Sequence, residues 1–270
     1  FHHPSALLVK GDRMHNFSGQ TVLVTGGAGH IGRAICEHFL VAGANVVACG
    51  RREPTTPIAI DGRAAQFVCA DVRDSAATEH LIATVIEQFG GLDILVNNAG
   101  GGPPVEAAAA SPSLTEKIVA LNLVAPMVLA QQAYASLSQG DRPGVVINVA
   151  SVSGVRPSPG SAAYGAAKAG LVSATQSLAM EWGPYVRVNA IVVGLVHNEA
   201  GHAHYGGEEG FRKVADMLPL KRMAEPADIA RSVLMLCSDD AAYISGAALE
   251  VHGGGEVPVF LHLANEARSK

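Results

Sequence analysis

The chain has 270 residues, 49% of them hydrophobic and 16% charged, enough for one substantial core and too short for two comfortable ones. A formal net charge of −5, with no Lys/Arg run and no interleaving of basic and aromatic residues, excludes the electrostatic footprint of a nucleic-acid binder. No run of consecutive apolar residues approaches the roughly 18 of a membrane span, so neither nucleic acid nor a membrane is an expected partner.

Residues 1–16, FHHPSALLVKGDRMHN, contain only four consecutive apolar residues, Ala6 to Val9, too few for the core of a signal peptide. They are read as a flexible N-terminal extension, and a single domain is expected over 17–270. TVLVT (21–25) is the first predicted strand. It runs into TGGAGHIG (25–32), where Gly27, Gly29 and Gly32 spell G-x-G-x-x-G ahead of a helix marked by Ile31, Ile35 and Phe39 at four-residue spacing. Strand, turn and helix in that order are the context a dinucleotide fingerprint requires. Its glycines make the turn and admit a pyrophosphate onto the amide N–H groups and positive dipole end of the helix.

NVVACG (45–50) is the second predicted strand. About 20 residues after the turn, a fold preferring NAD presents an acidic residue to the ribose 2'-hydroxyl. Here the strand ends Cys49-Gly50-Arg51-Arg52, and a guanidinium suits a 2'-phosphate through bidentate, charge-assisted bonds. NADP(H) is therefore favoured, with NAD(H) the alternative.

AQFVCA (65–70), LDILVNN (92–98), GVVINVAS (144–151) and VRVNAIVV (186–193) follow as strands, and Leu81, Val85 and Phe89 mark a helix between the first two. These runs are continuously apolar, as expected of strands covered on both faces. Strands alternating with helices imply an α/β fold, a doubly wound parallel sheet flanked by helices on both faces. Leu195 to Leu218 is the least regular long segment, and 195–220 is predicted to be a substrate lid. His197, His202 and His204, with Glu199 nearby, raise a metal site, but His-x-His in a loop lacks a firm fourth ligand and no metal is expected. Cys36, Cys49, Cys69 and Cys237 lie in apolar segments without C-x-x-C spacing, so buried reduced thiols and a cytoplasmic location are expected.

Asn97-Asn98-Ala99-Gly100 closes the fourth strand. Asn122 follows in ALNL, Ser151 in NVASVSG, and Tyr164-x-x-x-Lys168 in YGAAK, with Tyr164 thirteen residues after Ser151. Four apart on a helix, Tyr164 and Lys168 share a face. An ammonium within roughly 4 to 6 Å favours the phenolate and lowers the tyrosine pKa from about 10, allowing acid–base work near neutral pH. Ser151 stands at the carboxyl end of a strand, where open parallel sheets bind ligands, and its hydroxyl can hydrogen-bond a substrate oxygen whose charge changes.

In this order and spacing the residues resemble the compact, single-domain branch of the short-chain dehydrogenase/reductase family, 3-oxoacyl carrier-protein reductases among its members, from about Phe17 to Gly254. The resemblance implies a Rossmann-like fold and an NAD(P)-dependent oxidoreductase that moves a hydride between NADP(H) and a carbonyl or secondary alcohol. It implies that Tyr164 is the general acid/base, that Ser151 orients the carbonyl oxygen, and that Lys168 both modulates Tyr164 and binds the nicotinamide ribose. Asn122 would belong to a water-linked proton relay. Cofactor contacts implied in the same way are Gly26, Gly29, His30, Ile31 and Gly32 at the pyrophosphate, Arg51 and Arg52 at the 2'-phosphate, and Asp71 with Val72 at the adenine. Asn98, Ala99, Gly100, Tyr164, Lys168, Gly194 and Val196 would serve the remainder. Family members commonly form homo-oligomers, dimers or tetramers.

The chain departs from the family pattern in four places, one of them EWGPYVRVN (181–189), a residue shorter than the usual turn into its strand. His30 stands where the compact branch usually has glycine. Val193-Gly194-Leu195-Val196-His197-Asn198 replaces a Pro-Gly segment ending in Thr, with Asn198 able to hydrogen-bond in place of that Thr. His252 stands where Asp is usual. TGGAGHIG taken alone also resembles the extended branch of nucleotide-sugar epimerases and dehydratases, and a non-catalytic nucleotide-binding homologue is a third reading. NNAG and the ordered set favour the compact branch, while intact Ser151, Tyr164, Lys168 and Asn122 argue against a non-catalytic homologue.

Overall fold

The computed structural model describes residues 15–198 and 205–268, apart from the side chains of residues 262, 263, 265 and 266. Nearly all of the expected extension over 1–16, together with Glu199, His202 and His204 of the expected lid, lies outside the described residues.

Strand β1 (Thr21–Thr25) leads through the glycine turn into helix α1 (His30–Val41), followed by β2 (Asn45–Gly50). A short antiparallel hairpin, β3 (Ala59–Ile60) and β4 (Arg63–Ala64), precedes β5 (Gln66–Cys69). Then come α2 (Ser75–Phe89), β6 (Ile94–Asn97), α3 (Pro112–Val119), a π-helical turn at Ala120–Val124 and α4 (Ala125–Leu137). The second half adds β7 (Gly144–Ser151), α5 (Ala162–Trp182), β8 (Val186–Val193), α6 (Gly207–Met217), α7 (Pro226–Cys237), β9 (Ala248–Val251) and α8 (Val259–Arg268). Seven parallel strands form one sheet in the order β5-β2-β1-β6-β7-β8-β9. Chain direction across the sheet reverses between β1 and β6, the switch point at which such sheets open a crevice for ligands.

The continuous apolar runs are explained by two helical layers. Val22 and Val24 of β1, Ile94 and Val96 of β6, and Val145, Ile147 and Val149 of β7 pack with Ile35 and Phe39 of α1 and Ile229 and Val233 of α7. Their alternates Leu23, Leu95 and Val146 face Leu81 and Val85 of α2, Leu129 of α4 and Leu178 of α5. Successive strand side chains point to opposite faces, so both must be apolar. Local signals set the helix ends. The Asp74 side chain accepts the Ala76 and Ala77 amides at 3.0 and 3.3 Å before α2, and Gly90 ends that helix at φ 81°, the usual chemistry of an N-cap and a left-handed C-cap.

The structure corrects the sequence reading in three places. The segment from Leu195 to Leu218, expected to be irregular, contains α6, whose first turn carries Glu208 and Glu209, acids that favour the positive end of a helix. Strand β9 and the β3–β4 hairpin add to the predicted strands. Cys69 is exposed because β5 is the outer strand of the sheet, while Cys36, Cys49 and Cys237 are buried and all four are free thiols. Pro112–Leu137 is long and apolar enough to cross a membrane by length and composition. In the fold it runs through α3, the π turn and α4, and it buries Ala125, Leu129, Ala133 and Leu137, as a core helix does.

Candidate active site

The loops and strand ends assigned to cofactor or chemistry lie at the carboxyl edge of the sheet. The turn after β1, Arg51 after β2, Asp71 after β5, Asn98 after β6, Ser151 closing β7 and Gly194 after β8 all lie there. Thr25 ties two of these ends together. Its hydroxyl accepts the Asn98 and Ala99 amides at 3.0 and 2.9 Å, and the Asn98 side-chain amide returns a bond to the Thr25 carbonyl at 2.9 Å. Gly29 N–H donates to the Gly26 carbonyl at 2.9 Å, closing the turn. A Cβ on Gly32 would overlap that same carbonyl, so only glycine lets α1 start this close to the strand end. The amides at the start of α1, including that of Ile31, are left as the anion-binding end of a helix.

Beneath the site runs a buried polar chain. The Asn97 side chain donates to the Pro126 carbonyl at 3.1 Å and to Asn148 Oδ1 at 2.9 Å. Asn148 donates to Thr175 Oγ1 at 2.9 Å, and Thr175 donates to the Leu171 carbonyl at 2.8 Å. Asn148 and Thr175 were not singled out from the sequence, because an amide or hydroxyl within an apolar run shows its partner only once β7 and α5 are packed.

Ser151 Oγ accepts the Ser153 amide at 3.2 Å, and its influence on the neighbouring Tyr164 side chain is to favour the phenolate. Lys168 is 3% exposed, and its Nζ donates to the Val149 carbonyl at 2.7 Å while lying 5.7 Å from the centre of the Tyr164 ring. Gly100 completes the grouping. A Cβ there would stand 2.8 Å from Asn122 Oδ1 and 3.1 Å from Lys168 Nζ, so the absence of a side chain leaves a cradle between them. The structure thus brings Ser151, Tyr164, Lys168, Asn122 and Gly100 together. The Asn122 side chain is fully engaged with backbone. It donates to the Gly101 and Ile118 carbonyls at 2.8 and 2.9 Å and accepts the Gly101 amide at 2.8 Å, fixing the 99–102 segment.

The electrostatics reverse one expectation. Burial pushes the Tyr164 phenol above its ordinary range, partly offset by Ser151, whereas the sequence reading expected the neighbouring ammonium to lower it. Burial also lowers Lys168 to about 8. Both groups have been taken from water, which disfavours each charged form.

On the cofactor side, Arg51 and Arg52 are exposed at the end of β2 with no acid between the strand and them, and the charge of Arg51 reaches Asp71. Asp71 is held down to about 2, first by its hydrogen bonds from the Arg73 side chain; Nε and an amino group of Arg73 grip the carboxylate at 3.0 and 2.6 Å. Arg73 is an addition to the predicted set, and its position two residues after Asp71 is the only signal the sequence offered. Val72 packs with Val68 and Ala77 against the α2 side of the core.

After β8, Val196 forms an isolated parallel bridge with Ala224. Leu195, Tyr205, Phe211 and Val214 pack against buried Ala215, Leu218 and Met223. His252, in the place of the usual Asp, accepts the Gly254 amide on Nδ1 at 3.2 Å and donates Nε2–H to Glu250 at 2.7 Å. Arg156, five residues after Ser151, pairs through both ends of its guanidinium with Glu256, joining the loop beyond the serine to the C-terminal segment. Among the described residues no group of His, Cys, Asp or Glu could hold a metal ion. Two cavities, of about 380 and 400 Å³, lie away from Tyr164: one at the opposite sheet edge beside Arg142 and Arg187, the other between α7 and the end of β9.

Residues 26–256 match the family model described as enoyl-(acyl carrier protein) reductase. A 3beta-hydroxysteroid dehydrogenase 1 of Eggerthella lenta is 33% identical over 250 residues, covering 88% of this chain and 94% of that protein. An L-rhamnose 1-dehydrogenase (NAD(P)(+)) of Azotobacter vinelandii is 34% identical over 245 residues, covering 87% and 96%. Among solved structures, a putative short-chain alcohol dehydrogenase from Sinorhizobium meliloti superposes with a TM-score of 0.81 at 33% identity, covering 89% of this chain and 98% of that one.

Proposed function

The chain belongs to the short-chain dehydrogenase/reductase family, and from that premise we propose that it reduces a carbonyl, or oxidises the matching secondary alcohol, with NADP(H). The convergence of Ser151, Tyr164 and Lys168 at the sheet edge, beside a glycine turn open at a helix start, carries the reading. The residues present fit a dinucleotide. Gly100 leaves a cradle beside Lys168 Nζ, the α1 amides suit a pyrophosphate, and Arg51 stands where an acid would otherwise repel a 2'-phosphate. Gly26, Gly29, Ile31 and Gly32 would hold the pyrophosphate, Asp71 and Val72 the adenine, Asn98 to Gly100 with Lys168 the nicotinamide ribose, and Gly194 with Val196 the nicotinamide.

Hydride transfer is the chemistry the nicotinamide supplies when bound. The chain's own task is the proton. A phenol whose pKa is raised by burial stays protonated at neutral pH, so Tyr164 can hand its Oη proton to a substrate oxygen as charge grows there. Ser151 Oγ, beside that phenol, orients the same oxygen. The Lys168 ammonium, 5.7 Å from the ring centre, then stabilises the phenolate left behind. Asn122 holds the segment carrying Gly101, which keeps the cradle shaped. In the oxidising direction each role runs backwards.

The segment 195–220 would close over the substrate, with Tyr205 and Phe211 among its apolar residues. A homo-oligomer is part of the reading, supported by exposed Met180, Tyr243 and Phe260, and so is the cytoplasm, with which four free thiols agree. The test is oxidation of NADPH and NADH by purified protein offered simple ketones, 3-oxoacyl thioesters, sugars and oxosteroids. Turnover on at least one carbonyl class is expected, and Tyr164→Phe should remove nearly all of it while still binding cofactor. Cofactor binding without turnover on any class would instead favour a non-catalytic homologue. Conversion of nucleotide sugars without net cofactor change would favour an epimerase.

A further inference from the structure

We propose that His30 is a positioning residue that ties the pyrophosphate turn to the wall of the substrate pocket, so that filling the turn steadies the segment after β8. The proposal rests on the cofactor reading above and adds to it a residue for which the family pattern has no counterpart.

His30 is the first residue of α1, directly after the Gly29 N-cap. Its Nε2 lies 2.7 Å from the carbonyl oxygen of His197, 167 residues away in the chain. A carbonyl only accepts, so Nε2 carries the hydrogen and donates it, which fixes the tautomer of a neutral ring. A glycine at this position could make no such bond.

His197 is a junction. Its amide donates to the Ala224 carbonyl at 2.8 Å, and the Ala224 amide donates to the Leu195 carbonyl at 2.9 Å. Its ring lies 5.1 Å from that of Phe211 on α6, and its Nδ1 donates to Glu225, the residue before α7, at 3.2 Å. Leu195 and Phe211 belong to the apolar cluster that includes Leu218 and Met223. The His30 bond therefore crosses from the cofactor's phosphate turn to a residue that also touches Phe211 of α6, Glu225 ahead of α7 and Ala224 beside the strand end. It joins the turn at 26–32 to the residue directly after 194–196, the two segments that would hold the cofactor. A pyrophosphate hydrogen-bonded to the α1 amides restrains the His30 backbone, and the imidazole passes that restraint to His197 and its bridge with Ala224.

The test is amide hydrogen exchange on the full chain, with and without NADPH at concentrations that saturate each variant. In the wild type, NADPH should slow exchange at Ile31 and Gly32 and also at His197 and Ala224. In His30→Gly and His30→Leu the turn should still be slowed, while the effect at His197 and Ala224 should shrink roughly five- to tenfold, the worth of one net hydrogen bond. His30→Gln, whose side-chain amide can donate to the same carbonyl, should recover much of it. Undiminished slowing at His197 and Ala224 in both His30→Gly and His30→Leu would overturn the proposal, as would faster exchange there in the wild type on adding NADPH. Absence of slowing at the turn in the wild type would refute the cofactor reading itself, and the coupling with it.

Discussion

Lys168 shows how burial decides a residue's chemistry. A lysine four residues from a tyrosine suggests an ammonium that depresses the phenol, yet the fold removes both from water, leaving the amine near 8 and the phenol raised. The lysine's shift makes stability depend on pH. Between about pH 8 and the ordinary lysine value of 10.5, the unfolded chain holds a proton that the folded chain has released. Stability therefore rises with pH across that window and is lower below it. Lys168→Met removes the term. Denaturant unfolding of the cofactor-free protein at pH 7.0 and again near pH 10 should show the wild type gaining about 2 kcal/mol more than the variant over that interval. An equal pH response in both would mean that Lys168 keeps an ordinary pKa. Tyr164 complements it: kept as an acid at neutral pH, it is better prepared to donate a proton to a carbonyl than to remove one from an alcohol.

Among the elements, the six predicted strands were legible because a parallel sheet covered on both faces demands uninterrupted apolar runs, and Val22 and Leu23 do serve opposite layers. The glycine turn, NNAG and Tyr-x-x-x-Lys were legible because spacing alone carries them. What stayed hidden depends on partners distant in sequence. The engagement of Asn148 with Thr175, the contact between His30 and His197, and the Arg156–Glu256 pair exist only after packing. Helix α6 was missed because Gly206, Gly207 and Gly210 suggest a loop, whereas Gly206 sits in the left-handed region just ahead of the helix. The π turn at Ala120–Val124 is another such feature, a single wide turn of the kind that often marks functional sites. Asn122, fully buried, fastens it to the 101 segment. Asn122→Ala leaves the half-buried Gly101 groups and the buried Ile118 carbonyl without that partner and should cost roughly 1–3 kcal/mol in chemical denaturation. Because the Gly100 cradle loosens with it, cofactor affinity should fall as well. A stability change under 0.5 kcal/mol would show that water replaces the amide.

At the scale of the whole molecule, one ligand reading touches both halves of the sheet, since the residues assigned to the cofactor run from Arg51 after β2, across the switch point, to Val196 after β8. A ligand held along that line binds only the folded chain, so its binding free energy adds to global stability by mass action. At a hundredfold excess over its dissociation constant the gain is about 2.7 kcal/mol, which for a chain of this size raises Tm by roughly 5–8 °C. NADPH should therefore shift the melting curve well beyond the shift from NADH at equal concentration, because only the former brings a 2'-phosphate to Arg51. Arg51→Ala should collapse that difference by lowering the NADPH shift and leaving the NADH shift nearly as it was. Equal shifts from the two cofactors in the wild type, or equal losses in the variant, would assign the end of β2 to some role other than choosing between them. The exposed position of Arg51 makes the comparison clean, and its removal should leave the melting temperature of the cofactor-free protein within about 1 °C.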